Sequence, residues 1–251
     1  MLRKILHSTL GAAIMVLGLA ACDQMLGGET DAQRTAREAE WQANMLIRGN
    51  AALEACIASQ CKVLNIDGMR LEDFTVLNGL THVTVLMASR TNFDNLNDIS
   101  EMRQLKELHI TSTSVADLTG LDHFPRLKVL HVDGLDPSVD ISPVAQLTGL
   151  TDLAIGVLNV DDDASFIQRM RRLENLVIYW QGEADISVLR GHPSLRNVDI
   201  LGVLPDDQSA LLTMPKLKAI MIDNAYSLDP DIREELERRG VYEEDLTVIV
   251  C

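Results

Sequence analysis

The sequence predicts an α/β solenoid, a stack of repeats with one continuous core and a helical cover at each end. Two observations predict it. An L-x-x-L-x-I pattern returns every 22 or 23 residues from Cys61 onward. A unit of that size cannot bury its own apolar side, so neighbours must stack to make one core. The stretches on either side of the repeats carry helix start and stop signals instead.

The chain opens on Met1-Leu2-Arg3-Lys4, followed by an apolar segment from Ile5 to Ala21. A basic start, a short apolar middle and small residues at the end read as a secretory signal. A permanent span takes roughly 20 apolar residues, and His7, Ser8 and Thr9 interrupt this one. The segment ends in Leu19-Ala20-Ala21-Cys22, which resembles the lipobox of bacterial lipoproteins. The resemblance implies that residues 1–21 are removed as a signal peptide. Cys22 then becomes the first residue, carries a thioether-linked diacylglycerol and is acylated on its amine with a fatty acid such as palmitate. Residues 22–29 would form a tether. By the same resemblance Asp23, with Gln24 compatible, favours the inner membrane, the outer membrane being the alternative. One acyl chain holds only marginally, at about 0.8 kcal/mol per buried CH₂, and two or three hold stably. The expectation is a protein anchored to a membrane on its periplasmic or other extracytoplasmic side, not threaded through it.

Residues 30–60 read as a helical N-terminal cap. Thr30 with Gln33 forms a capping-box pattern. Trp41, Met45, Leu46, Leu53, Ala55 and Ile57 supply an apolar face. Gly49-Asn50 is expected to break this stretch into two helices, as helix stop and N-cap.

The repeats occupy 61–228. Their core units are Cys61-Leu64-Ile66, Val83-Leu86-Ala88, Leu105-Leu108-Ile110, Leu127-Leu130-Val132, Leu150-Leu153-Ile155, Leu173-Leu176-Ile178, Leu195-Val198-Ile200 and Leu217-Ile220-Ile222. This resembles the leucine-rich-repeat family, nearest its 22-residue internalin-like kind. The resemblance implies a horseshoe with a parallel sheet on the concave face and short helical turns behind it. Within residues 229–251, Asp229-Pro230 opens and Gly240 closes a C-terminal capping helix. A ninth unit is expected at Leu246-Ile249-Cys251.

A column of Asp73, Asn95, Asp117, Asp140, Asp163, Asp185 and Asp207 accompanies the repeats. A calcium ladder would need several oxygens converging on one point, and one residue per layer does not provide that. These residues fit N-caps of the short helical turns, accepting from free N–H groups. Pro125, Pro193 and Pro215 each stand two residues before a repeat unit, where they stop the preceding turn.

Of the cysteines left besides Cys22, Cys56 and Cys61 lie at the junction of cap and first repeat, and an oxidising compartment permits a disulfide between them. Cys251 belongs eight strand steps away, roughly 38 Å at about 4.8 Å per step, too far to pair within the chain. No spacing supports a zinc site, and no phosphate-binding or nucleophile motif is present. No enzyme activity, cofactor or metal is expected.

The formal charge is −15, and losing Arg3 and Lys4 takes it to −17. That opposes nucleic-acid binding, disfavours lying on an anionic bilayer and favours a basic partner. Function is therefore sought on the strand face, where side chains between the leucines alternate outward. Tyr179 and Trp180 are expected there as exposed anchors, extended by Val177 and Leu201 and rimmed by Asp152 and Asp199. The competing reading is that one ring folds back to fill a gap left by Gly182. His109 and His131 share a column of neighbouring strands on the same face. The reading is a protein-binding lipoprotein. The alternatives are an immunity-type lipoprotein that neutralises a toxin, or a metal-dependent activity at His109/His131.

Overall fold

The structure is a computed structural model that describes residues 29–158, 163–180, 185–202, 207–222 and 228–244. The signal segment, Cys22, its tether, Gly182 and Cys251 lie outside the described residues. The chain divides into two units, Met1–Asn44 and Met45–Cys251.

A single helix, α1, runs from Asp31 to Ser59. Its start is the expected capping box: Thr30 N–H donates to Gln33 Oε1 at 2.9 Å and Gln33 N–H to Thr30 Oγ1 at 3.2 Å. In the first unit every helical residue from Asp31 to Asn44 is exposed, Trp41 at 52% included.

In the second unit α1 continues without the break expected at Gly49-Asn50. Gly49 is buried, and a Cβ there would stand 2.0 Å from the Arg70 carbonyl oxygen. Glycine serves here as a close approach between helix and first repeat, not as a stop. Arg70 N–H returns the contact by donating to the Met45 carbonyl at 3.2 Å. Cys56 is buried, while Ala52 and Leu53 pack against the core. This gives a face of three- and four-residue spacing. Ala55 and Ile57 point away from it and are exposed.

Nine strands among the described residues form one sheet in chain order: β1 (Val63–Asn65), β2 (Val85–Met87), β3 (Glu107–His109), β4 (Val129–Val132), β5 (Asp152–Leu158), β6 (Asn175–Trp180), β7 (Asn197–Gly202), β8 (Ala219–Ile222) and β9 (Tyr242–Glu244). All pairs are parallel. The register sets Leu64, Leu86, Leu108, Leu130, Leu153, Leu176, Val198 and Ile220 side by side. All eight of these side chains are at most 2% exposed. The periodicity is therefore the core itself.

Between strands the chain returns through short 3₁₀ segments, from Phe74–Gly79 to Ser209–Thr213. Asp73, Asn95, Asp163 and Asp185 are the N-caps of their turns, whereas Asp117, Asp140 and Asp207 stand one residue before the N-cap position. Each side chain accepts from the backbone N–H two residues on, at 2.8 to 3.0 Å. Hydrogen bonds from the hydroxyl and then the amide of that residue hold Asp73, Asp163 and Asp207 below the usual carboxylate range. At Asp117 the Thr119 amide contributes most to the same shift.

The second helix, α2, spans Pro230–Arg238, with the Asp229 side chain accepting from the Asp231 and Ile232 amides. A strand follows α2 at once. Tyr242–Glu244, directly after α2, pairs with β8 and sets Glu243 beside Ile220. The stretch Leu246–Cys251 lies outside the described residues.

Candidate functional site

The outward positions of the sheet form columns, because side chains alternate along each strand and the register repeats exactly one unit per strand. One column reads Val63, Val85, Glu107, Val129, Asp152, Asn175, Asn197, Ala219. The next reads Asn65, Met87, His109, His131, Ala154, Val177, Asp199, Met221. Tyr179 and Leu201 extend the face by one more pair. Neither column contains Lys or Arg.

The first column carries a polar ladder. Asp152 accepts from Thr151 Oγ1 at 2.6 Å and from the Asn175 amide, and Asn197 Nδ2 donates to Asn175 Oδ1 at 2.5 Å. In the second column His109 and His131 meet across β3 and β4. Their Nδ1 atoms are 3.0 Å apart, and their rings pack edge to face with centroids 4.3 Å apart. Two ring nitrogens at that distance share one proton, so one ring donates and the other accepts. Burial, and secondarily the His109 charge, hold His131 below its ordinary value, against the opposite pull of Asp133, Asp152 and Glu107. Glu107 Oε2 is 3.8 Å from His109 Nε2. Among the described residues no third histidine, cysteine or carboxylate joins the pair at ligand spacing.

Trp180 does not sit on this face. It is 5% exposed and belongs to the core. β6 runs two residues past Ile178, so alternation sends Leu176, Ile178 and Trp180 inward and Tyr179 outward. Its register partner is Gly202, with φ +87°, where a Cβ would lie 2.1 Å from the Trp180 carbonyl oxygen. Tyr179 is 40% exposed. Val177, Leu201, Asp152 and Asp199 are half-buried beside it.

At the cap junction the Cys56 and Cys61 sulfurs are joined, with Cα atoms 4.8 Å apart. His82 Nε2 lies 4.0 Å from Cys56 Sγ, a neighbour that sequence spacing gave no sign of. The three residues are grouped closely enough for a metal, but sulfurs bonded to each other offer no thiolate to one.

A second histidine also escaped sequence reasoning. His192 is 2% exposed and stands three residues before Leu195. The matching places before Leu105, Leu173 and Leu217 hold Met102, Met170 and Met214. Its Nδ1 accepts from the Leu195 amide at 3.3 Å, and its Nε2–H donates to the Ile167 carbonyl at 3.2 Å. Burial keeps it below its ordinary value, assisted by the Arg171 charge.

No family model matches the sequence, and no curated protein matches it. Among solved structures, the chain is similar to internalin C2 of Listeria monocytogenes, with a TM-score of 0.56 and 15% identity over 73% of this chain and 80% of that one. It is also similar to internalin inlF of the same organism, with a TM-score of 0.53 and 18% identity over 72% of this chain and 59% of that one. At these identities the likeness is one of fold, and the fold is a leucine-rich-repeat solenoid.

Proposed function

We propose that this chain is a membrane-anchored, extracytoplasmic lipoprotein whose strand face binds a basic protein. One observation carries the binding reading. The outward columns hold Glu107, Asp152 and Asp199 and no Lys or Arg. Beside them stands an outward apolar group of Val177, Tyr179 and Leu201. An acidic rim speeds encounter with a basic partner, and a partly exposed tyrosine beside aliphatic side chains is a favourable anchor. A delivered basic toxin is one class of partner that fits.

The anchor reading rests on Leu19-Ala20-Ala21-Cys22 and the segment before it. Among the described residues, which do not include that segment, no helix is long and apolar enough to cross a membrane. The test is cross-linking in intact cells, followed by identification of the captured protein. Tyr179→Ala should reduce capture roughly tenfold or more, as expected for a central aromatic anchor, without changing thermal stability. Asp199→Asn should slow association at low salt. Undiminished capture by Tyr179→Ala would remove the strand face from consideration. Cys22→Ser should lose the mass of the lipid and leave the membrane fraction. A variant that stays there through salt and carbonate washes would sink the anchor.

A further inference from the structure

At the end of α1 the backbone turns back toward the helix. Gln60 has φ +52°, the left-handed conformation that closes many helices. Its N–H donates to the Ile57 carbonyl at 3.4 Å, and Cys61 N–H donates to the Cys56 carbonyl at 3.1 Å. This pair of bonds is a Schellman turn, which brings the residue after the left-handed one against the residue five positions back. Those two residues are commonly an apolar contact, and here both are cysteine. The backbone therefore makes the two sulfurs neighbours whether or not they are bonded.

A third donor lies beside them. His82 stands in the turn before β2, with Nε2 4.0 Å from Cys56 Sγ. In the later repeats the same place, one residue before the apolar residue that opens the unit, holds Gln104, Arg126, Gly149, Arg172, Ser194 and Lys216. A histidine occurs there only in the layer next to the cysteines. The ligand atoms of Cys56, Cys61 and His82 all lie within 4.8 Å of one another. With zinc bonds of about 2.3 Å to sulfur and about 2.0 Å to nitrogen, two such ligands of a tetrahedral ion stand roughly 3.5 Å apart. His82 and Cys56 are already near that separation. Two zinc-bound sulfurs stand roughly 3.8 Å apart. A cavity of about 250 Å³, lined by Ala52, Ala55, Ser59, Val63 and the two cysteines, gives them room to part. The negative end of the α1 dipole also favours a cation at this place.

We propose that Cys56, Cys61 and His82 form a zinc site when the disulfide is reduced. Bridge and metal are then alternative closures of the same junction between helix and first repeat. A dithiol opens the bridge: it supplies two electrons and two protons, leaves as its own disulfide, and two thiols remain. Zinc displaces both thiol protons and is held by two thiolate sulfurs and the lone pair of neutral His82 Nε2. The two thiolates cancel the charge of the ion, so Cys56, only 3% exposed, is not left in a net charged site. Among the described residues no further histidine, cysteine or carboxylate joins the three, and the fourth tetrahedral position goes to water. Two thiolates and an imidazole suit zinc, whereas calcium and magnesium take oxygen ligands. The proposal depends neither on the anchor nor on the strand face.

The test uses the full chain with Cys22→Ser and Cys251→Ser, which leaves the two junction cysteines. The protein is reduced with a phosphine, freed of reductant under argon, and titrated with cobalt(II) and then with zinc. Reduced protein should take up one cobalt, showing the visible bands of a tetrahedral ion and a thiolate charge-transfer band in the near ultraviolet. Zinc should displace it. Zinc should also raise the Tm of the reduced protein by several degrees, because it binds the folded state. The oxidised protein should show none of these effects. His82→Gln should weaken zinc roughly 100-fold or more, since even a hydrogen-bond partner behind a ligand is worth about 10–100-fold. The Tm of its oxidised form should be that of the parent. Equal zinc affinity in His82→Gln would overturn the proposal, because the cysteines would be binding without the histidine. So would zinc uptake by the oxidised protein, which would put the metal elsewhere, or cobalt uptake without the thiolate band. A reduced chain that loses α1 in circular dichroism and does not regain it with zinc would overturn it as well, because the turn would not hold the sulfurs together.

Discussion

Gly49 sets two opposing effects against each other at one atom. In an exposed helix interior, Gly→Ala stabilises by about 1 kcal/mol. Here the added Cβ would meet the Arg70 carbonyl oxygen at 2.0 Å, the Arg70 carbonyl carbon at 3.0 Å and Leu71 Cδ2 at 3.3 Å. The obstacle is backbone, tied back to Met45 by a 3.2 Å hydrogen bond, and it cannot rotate away. Relief requires α1 to recede by on the order of 1 Å, which loosens the dispersion contacts behind it. Overpacking of this kind costs typically 1–3 kcal/mol and occasionally more. Taking about 3 kcal/mol against about 1 kcal/mol gained, Gly49→Ala should lose about 2 kcal/mol. For a chain of this length that lowers Tm by roughly 4–8 °C. Thermal and urea unfolding followed by circular dichroism would measure it. The neighbouring Asn50 is exposed, so Asn50→Ala reports helix propensity alone and should raise Tm slightly. If Gly49→Ala also raises Tm, α1 does not dock through this glycine.

Trp180→Ala should cost about 3–5 kcal/mol, as large-to-small changes in a core do. In the folded protein iodide should quench Trp41 and spare Trp180, and the reverse order would return Trp180 to the surface. His192 has a folded pKa below its unfolded value of about 6.5, so its contribution is complete above that value and fades as pH falls toward the folded one. His192→Met should therefore flatten the decline of Tm with pH below about 6.5, and an unchanged acid limb would show that another group controls it. His131 acts in the same direction and remains in the variant. Asn95 caps the turn Leu96–Ile99 by accepting from Asn97 N–H at 3.0 Å. Asn95→Ala should lose about 1 kcal/mol and Asn95→Asp almost nothing, as read from urea midpoints. Alkylation without reductant should leave Cys56 and Cys61 unmodified. Modification of both would mean that the cap closes on packing alone.

What the sequence by itself determined are the features made within a few residues or repeated at one interval. The core columns were legible because the same apolar spacing recurs each period, and the parallel register carries Leu64 through Ile220 into contact. The acid column was legible as acceptors for the first amides of the turns because each bond spans only two residues, although at Asp117, Asp140 and Asp207 the cap position itself falls one residue later. The Thr30–Gln33 box and the Asp229-Pro230 start of α2 are local in the same way. Of the candidate face, the neighbourhood of His109 and His131 and the outward position of Tyr179 followed from repeat spacing. The burial of Trp180 depends on how far β6 continues, which the consensus does not specify.

Tertiary structure alone decided the rest. Gly49 is a contact and not a break because of Arg70, which lies 21 residues further along the chain. His82 reaches Cys56 across 26 residues. The strand that pairs with β8 is Tyr242–Glu244, the segment that α2 delivers to that edge. The charge balance was readable from the start, but its division was not. A sum carries no position, and only the parallel stacking of connections places the lysines before the strands, on one edge, and the turn-binding aspartates after them, on the other.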